Sequence, residues 1–379
     1  MPIVTTAWKT FRDLVQRHTW IFILGGVAIR VMYFLYILFF QINPNQWGDI
    51  KLNIGDGKLI WENLQLGRGF FYEAKFPFLG GVYVLLVYLA GSWLPIEQAY
   101  FWFAFSQMVM ECAIIFAFYF VVKAWTKDIH YAKLAVILWL CNPFWLIVEV
   151  IDLDRIGYHP TDYLFLFFVL IAMYFHTREG GKKWCYIFLG LTVSIKIFTL
   201  PLIAILAANF IINPAQKETR ESLIKINWPE IKQLILYMGI PIFLTFFLPM
   251  LLDLQNLESF FGYRDCSIFG GRLTLWMRLI PPLIASSIFL LQLIRKPGSR
   301  DFWTSFNWSV TIGGIFWIVS QPYLRYLIYP LPVGLARRKE KKVLIWGLIG
   351  IITAVFFWIF GIGEGELFIL PGGSACWGT

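Results

Sequence analysis

The sequence predicts an all-α, polytopic integral membrane protein with about 11 transmembrane helices. Of its 379 residues, 59% are hydrophobic and 15% are charged, whereas soluble domains carry about 25% charged residues. The apolar residues also arrive in runs close to the length of a bilayer span. So little charge argues against a disordered chain, a coiled coil or a nucleic-acid-binding module. The net charge of +9 is then best explained by basic cytoplasmic loops.

The N-terminal helix and its loop set the topology. Lys9, Arg12 and Arg17 precede an apolar run at residues 20–40, so we expect the N-terminus inside and the first helix running outward. Residues 41–98 then form a long first outer loop, which we expect to carry juxtamembrane or re-entrant helices. We expect the whole chain to form one membrane-embedded domain.

The short apolar run at residues 79–94 is predicted to be re-entrant or interfacial. The next strong helix, residues 99–122, ends in lysines, and the helix after it, residues 134–151, ends in aspartates. Basic ends belong in the cytoplasm, so the helices alternate correctly only if residues 79–94 do not fully cross.

The core helices, residues 99–213, end in a predicted hairpin. Residues 163–175 run inward, and residues 184–213 lie between two basic loops. That second stretch must cross an even number of times, so it is predicted to be two short helices with Lys196 near their tip. The C-terminal helices, residues 214–379, continue the alternation and leave the C-terminus outside.

Three ionisable residues are predicted to lie at membrane depth, where charge is costly and usually functional. They are Arg30, Glu111 and Lys196. One interpretation is structural: Arg30 and Glu111 form an ion pair, and Lys196 reaches the interface as an anchor. The functional interpretation is that Arg30, Lys196 and Arg264 surround an anion near the outer leaflet. Phosphate fits, because guanidinium and ammonium groups are its usual ligands.

The outer face also collects carboxylates, of which Asp49 is the most informative. It follows the first apolar run by a few residues, beside Gly48 and Ile50. A carboxylate at the water edge of a cationic site could deprotonate an acceptor hydroxyl. The alternative is an ordinary solvated loop aspartate.

Short motifs recur in one order along most of the chain. They are Arg30; Gly48-Asp49-Ile50; Asp56, leading an amphipathic helix; Gly67-Arg68-Gly69-Phe70-Phe71-Tyr72; Glu111; Asp162; Gly190 to Lys196-Ile197-Phe198; Tyr263-Arg264-Asp265; and Ser320-Gln321-Pro322-Tyr323. This order resembles the GT-C class of membrane glycosyltransferases. It is most similar to the catalytic subunit of the first GPI mannosyltransferase and to related prokaryotic mannosyltransferases.

The resemblance implies an inverting glycosyltransferase that moves a hexose, with mannose expected, from a polyprenyl-phosphate donor to a lipid-linked or glycan acceptor. The reaction would take place on the extracytoplasmic face, with Asp49 as the general base. The implied roles of the other residues are donor-phosphate binding for Arg30, Lys196 and Arg264; acceptor or sugar binding for Asp56, Asp162 and Asp154; and support for Glu111, Arg68, Tyr72 and Tyr323. Asp162 could equally be a helix N-cap.

One departure from the family pattern concerns metal binding. The family carries Asp-x-Asp in the first outer loop, but Lys51 stands at the second position here. We therefore expect no cofactor, and a divalent metal has no support from the motif. The expected partners are the donor lipid, the acceptor and the membrane. A small accessory membrane subunit is compatible with this set, and we expect no nucleic-acid partner. The expected location is the plasma membrane in a prokaryote or the endoplasmic reticulum membrane in a eukaryote.

Two other functions remain open from the sequence. A transporter or flippase of lipid-linked sugars would use the same buried cations for phosphate, but it would need charged residues at several depths. A non-catalytic subunit of a glycan assembly pathway would tolerate replacement of Asp49.

Overall fold

The computed structural model describes residues 17–40, 48–68, 78–94, 96–140, 160–196, 199–211, 226–252 and 275–295, together with isolated positions within 6–14 and 302–312. Within these ranges the chain is helical and forms no strand, which confirms the all-α prediction. The helices are α1 (Thr19–Phe40), α2 (Gly48–Gln65), α3 (Phe78–Gly91), α4 (Ile96–Thr126), α5 (Ile129–Leu140), α6 (Pro160–His176), α7 (Lys182–Val193), α8 (Leu200–Ile211), α9 (Trp228–Leu252) and α10 (Leu275–Arg295).

α4 is the central helix, and α1 and α6 pack along it in opposite directions. Trp125 of α4 stacks on His176 of α6 at 5.9 Å between ring centroids, so the C-terminal ends of these two helices meet and the helices run parallel. Trp20 of α1 lies against Tyr119 at 6.2 Å, near the same end of α4. Because α1 begins where α4 ends, the two are antiparallel.

α3 and the first half of α4 form an antiparallel hairpin. The hydroxyl groups of Tyr83 and Ser106 lie 3.0 Å apart across it, and only residues 92–95 join the two helices. α3 has 14 residues, fewer than the ~20 that a span needs. The expectation that this segment does not cross by itself stays a prediction.

α2 packs on α3 through a glycine. A Cβ atom on Gly57 would lie 2.5 Å from Cβ of Tyr88 and 3.1 Å from the carbonyl oxygen of Val84, so only hydrogen fits. Ile50 and Ile54 of α2 join Val84 and other apolar side chains in one buried cluster. The predicted amphipathic helix is present, but it begins at Gly48 rather than at Asp56. Asp49 is therefore the second residue of a helix and not part of a loop.

The predicted hairpin at residues 184–213 is confirmed in its described parts as α7 and α8. α7 runs parallel to α9, and a Cβ on Gly190 would lie 2.8 Å from the carbonyl oxygen of Met238. Two π-helical turns interrupt α9, at Ile235–Gly239 and Phe243–Phe247. Such wider turns are typical of helices with an irregularity or a functional site, and here they flank Pro241, which has no N–H to donate.

Among the described residues, two helical segments are long and apolar enough to cross a membrane, Phe101–Thr126 and Trp228–Leu252. Several helices also leave large apolar side chains exposed on the outside of the bundle. Examples are Trp20, Leu24 and Met32 on α1, Phe116 and Phe120 on α4, and Leu236, Phe243 and Leu251 on α9.

Candidate functional site

The first buried charge pair joins α1 to α4. Nε of Arg30 lies 3.2 Å from Oε2 of Glu111, and each side chain is only 4% exposed. The neighbouring contacts are polar too, since Gln107 donates to Oε1 of Glu111 at 3.0 Å and Arg30 donates to the carbonyl oxygen of Gly26 at 3.1 Å. The structural ion pair that the sequence allowed for these two residues is therefore present.

The second charge pair, of a partly buried lysine with a buried carboxylate, joins the tip of the α7–α8 hairpin to α6. Nζ of Lys196 lies 2.6 Å from Oδ1 of Asp162, with the two side chains 19% and 9% exposed. Asp162 stands in the first turn of α6, where a negative charge also interacts favourably with the helix dipole. Its position is thus inside the helix, bound to a lysine, rather than at the N-cap.

The two pairs lie at one level of the bundle, which we call the polar layer (Arg30, Glu111, Asp162 and Lys196). Glu111 is 14 residues before Trp125, and Asp162 is 14 residues before His176, the ring that stacks on Trp125. At ~1.5 Å per helical residue, both carboxylates stand ~21 Å from that stack. Phe78, the first residue of α3, lies at the same level. Tyr83 contacts Ser106 across the antiparallel hairpin; Phe78 is five residues from Tyr83, and Glu111 is five residues from Ser106.

The hairpin tip that carries Lys196 is held by contacts from two other helices. The backbone N–H groups of Leu79 and Gly80, at the start of α3, both donate to the carbonyl oxygen of Ser194, at 3.1 and 3.3 Å. The hydroxyl of Ser194 also hydrogen-bonds to that of Thr245 on α9. These bonds fix the backbone two residues before Lys196, so its ammonium group reaches Asp162 from a rigid base.

A polar face on α2 brings further candidates together. Asn53, Asp56 and Asn63 are all buried. They lie three and seven residues apart on the helix, a spacing that places them on one face. Asp49 falls on the same face by register, four residues before Asn53 and seven before Asp56. We call these four positions the α2 polar face.

The opposite end of the bundle is basic. The ends of α4 and α6 meet there, and the start of α7 meets the start of α9 through the ion pair of Lys182 with Glu230. Nearby in sequence stand Lys123, Lys127, Arg178, Lys183 and Lys232. The described basic segments after α4, after α6 and at the start of α9 therefore converge in the fold.

Comparisons with protein-family models, with curated proteins and with solved structures gave no match. The resemblance to the GT-C class thus stays a prediction that rests on the motifs.

Several predicted site residues lie outside the described part of the chain. They are Arg264, Asp154, Tyr72 and Tyr323. Arg68 is described, and its side chain is exposed just beyond the end of α2, where Gly67 takes a left-handed conformation with φ of +64°. Arg68 is therefore separate from the buried polar layer. Among the described residues, no group of three or more His, Cys, Asp or Glu side chains could hold a metal ion.

Sequence reasoning missed Asn53 and Gln107, because a single amide in a helix carries no motif. Their signal was available only as periodicity: Asn53 keeps step with Asp49 and Asp56, and Gln107 stands one turn before Glu111. Sequence reasoning also missed Ser194 and Thr245, because their pairing depends on how α7 and α9 pack.

Proposed function

We propose that this chain is a multi-pass membrane glycosyltransferase that uses a polyprenyl-phosphate sugar. The observation that carries the proposal is the polar layer, in which two cations and two carboxylates from four segments of the chain meet at one level. Buried ionisable groups of this kind are expensive to keep inside an apolar bundle and usually mark a functional site.

The membrane part of the proposal is supported by the apolar outer surface. Two helices in the described part of the chain have the length and composition of spans, and α1, α4 and α9 each carry exposed apolar side chains. Soluble monomers rarely expose contiguous apolar patches above a few hundred Å². We therefore propose about 11 spans in all, with the basic end in the cytoplasm.

This orientation puts the polar layer in the outer part of the bilayer. The layer lies ~21 Å from the basic end, and a hydrocarbon core is ~30 Å thick. The α3–α4 hairpin and α2 lie on its outer side, so Asp49 and Asp56 belong to the extracytoplasmic end. A donor whose lipid lies in the outer leaflet would present its phosphate at this level and its sugar toward α2.

The charges of the layer constrain where the phosphate binds. Arg30 and Lys196 each already face a carboxylate, so the four described groups are neutral in sum. A phosphate needs additional positive charge, and we propose that Arg264 supplies it. Glu111 and Asp162 would then act as the groups that hold Arg30 and Lys196 in place.

The reaction that fits these groups is an inverting displacement. The acceptor hydroxyl oxygen bonds to the anomeric carbon as the bond from that carbon to the phosphate oxygen breaks. The phosphate keeps the electron pair, and the hydroxyl proton passes to the carboxylate of Asp49. Fixed cations in a poorly hydrated site stabilise the charge that develops on the phosphate.

The test is transfer of radiolabelled mannose from polyprenyl-phosphate-mannose to membrane lipid or glycan acceptors. We expect transfer by the wild type and a loss of about 10²–10⁴-fold in Asp49→Asn, as for removal of a general base. Asp128→Asn is the matched control, because Asp128 is exposed at the basic end and accepts from the backbone N–H groups of His130 and Tyr131, which an amide oxygen can also do.

Equal transfer by wild type and Asp49→Asn would remove Asp49 from catalysis. No transfer from mannose, glucose or arabinose donors would contradict the transferase and favour the flippase. That rival predicts movement of the lipid between leaflets without a new glycosidic bond.

A further inference from the structure

We propose that Asn53 is a binding residue for a neutral, hydroxyl-bearing headgroup on the α2 polar face. This inference rests on the proposed function, in which a sugar acceptor approaches Asp49. The observation is that Asn53 is only 1% exposed and that its Oδ1 atom accepts no hydrogen bond from the described residues.

A buried acceptor with no donor is unfavourable, and most such groups in proteins are hydrogen-bonded. Leucine has the same heavy-atom branching as asparagine, so an Asn53→Leu substitution would remove no hydrogen bond to Oδ1. A helix that keeps an amide there gains nothing in stability from its oxygen. The oxygen therefore has a use in another state of the protein, when a donor group is bound.

The spacing of the α2 polar face selects the kind of ligand. Along the helix axis Asn53 stands ~6 Å from Asp49 and ~4.5 Å from Asp56, so the three positions cover ~10 Å. The oxygens around one Mg²⁺ or Ca²⁺ lie within 2.6 Å of the ion, which residues two turns apart on a straight helix do not achieve together. A sugar ring, which carries hydroxyl donors several ångströms apart, matches this span.

The chemistry of the face points the same way. Carboxylate and amide oxygens accept hydrogen bonds from hydroxyl groups, and carboxylates on the face repel a phosphate. We therefore assign residues 49–56 of this face to the acceptor, and the polar layer to the phosphate of the donor; Asn63, two turns beyond Asp56, lies outside this span. Asn53 would fix the acceptor ring so that one hydroxyl points at Asp49.

The experiment compares thermal unfolding of wild type, Asn53→Leu and Asn63→Leu in lipid nanodiscs free of glycoside detergents. Asn63 is the matched control, since it is the same residue type on the same helix and equally buried. The probe is octyl α-mannopyranoside, with octyl dimethylamine oxide as the control for the alkyl chain and MgCl₂ as the control for a cation.

We expect the mannoside to raise the melting temperature of the wild type by about 2–4 °C and to leave that of Asn53→Leu unchanged. Without ligand, Asn53→Leu should melt at or above the wild type, because it removes an unsatisfied acceptor. Asn63→Leu should melt lower and keep its response to the mannoside. In the transfer assay, Asn53→Leu should raise the KM for the acceptor about tenfold, the effect of one lost hydrogen bond, with little change in kcat.

An equal mannoside response in wild type and Asn53→Leu would overturn the assignment. The assignment would also be overturned if the wild type responded to Mg²⁺ alone or to neither ligand. It would likewise be overturned if Asn53→Leu melted at as low a temperature as Asn63→Leu. An Asn53-dependent response in a wild type that shows no sugar transfer would keep this site and reject the proposed function.

Discussion

The pair of Arg30 and Glu111 allows a quantitative test of the polar layer. In Glu111→Gln, the guanidinium of Arg30 keeps its charge, because arginine does not lose its proton in proteins. Both side chains are 4% exposed, so water cannot replace the missing carboxylate. Breaking a buried ion pair in this way costs about 3–5 kcal/mol.

Removing both charges should cost far less than removing one. Replacement of a buried pair by apolar residues is often neutral or stabilising. In Arg30→Met/Glu111→Leu, the amide of Gln107 loses its acceptor at 3.0 Å, which costs about 1–3 kcal/mol. We therefore expect the double variant to be about 0–2 kcal/mol less stable than the wild type, and more stable than Glu111→Gln.

The assay is equilibrium unfolding in mixed micelles titrated with sodium dodecyl sulfate and followed by helicity. Glu62→Gln is the matched control, because Lys58 and Glu62 form an exposed pair at 3.6 Å on α2. That substitution should change the free energy of unfolding by less than about 0.5 kcal/mol. Equal losses in Glu111→Gln and Glu62→Gln, or a double variant less stable than Glu111→Gln, would contradict this expectation.

Two further predictions follow from the same packing. Asp162→Asn should destabilise the protein by about 1–3 kcal/mol, less than Glu111→Gln, because Lys196 is 19% exposed and keeps partial access to water. A loss of stability equal to or larger than that of Glu111→Gln in the same unfolding assay would contradict this. Gly57→Ala should destabilise the protein by about 1–3 kcal/mol through overpacking on Tyr88. Gly55→Ala, whose Cβ would have nothing within 4 Å, should stabilise it by up to about 1 kcal/mol. The reverse order of melting temperatures would show that α2 does not pack on α3 in this way.

The parts of the fold that follow from charge and length could be predicted from the sequence. The α7–α8 hairpin is an example, since an apolar stretch between two basic segments must turn back, and Lys196 does stand at its tip. α6 was likewise bounded by Asp162 at one end and by basic residues after His176 at the other. Both predictions depend on the cost of charge in an apolar environment, which is visible in the residues themselves.

The parts that depend on register between helices could not be predicted. Nothing in the sequence says that Glu111 and Asp162 stand at one level, because that requires the stack of Trp125 on His176. The sequence predicts the start of α2 at Asp56, eight residues too late, since Gly55 and Gly57 disfavour helix and Gly48 and Lys51 carry no helix-start signal. Packing of Ile50 and Ile54 against α3 and α4 extends the helix to Gly48.

The same limit applies to the partners of the charged residues. The sequence identified Arg30 and Lys196 as unusual. It allowed either an ion pair of Arg30 with Glu111 or a shared anion, and it gave Lys196 no carboxylate partner. In the fold each has its own carboxylate, Glu111 and Asp162. The depth of a charge can be read from hydropathy, but the identity of its partner depends on which faces of two helices meet.

The central claim is that the chain forms a glycosidic bond and does not merely bind or move a lipid-linked sugar. The most direct test is the stoichiometry of the purified protein in vesicles, with polyprenyl-phosphate-mannose and acceptor in known leaflets. We expect one polyprenyl phosphate to be released for each new glycosidic bond, and only when the donor is in the leaflet nearer Asp49. Movement of intact donor between leaflets without release of polyprenyl phosphate would contradict it.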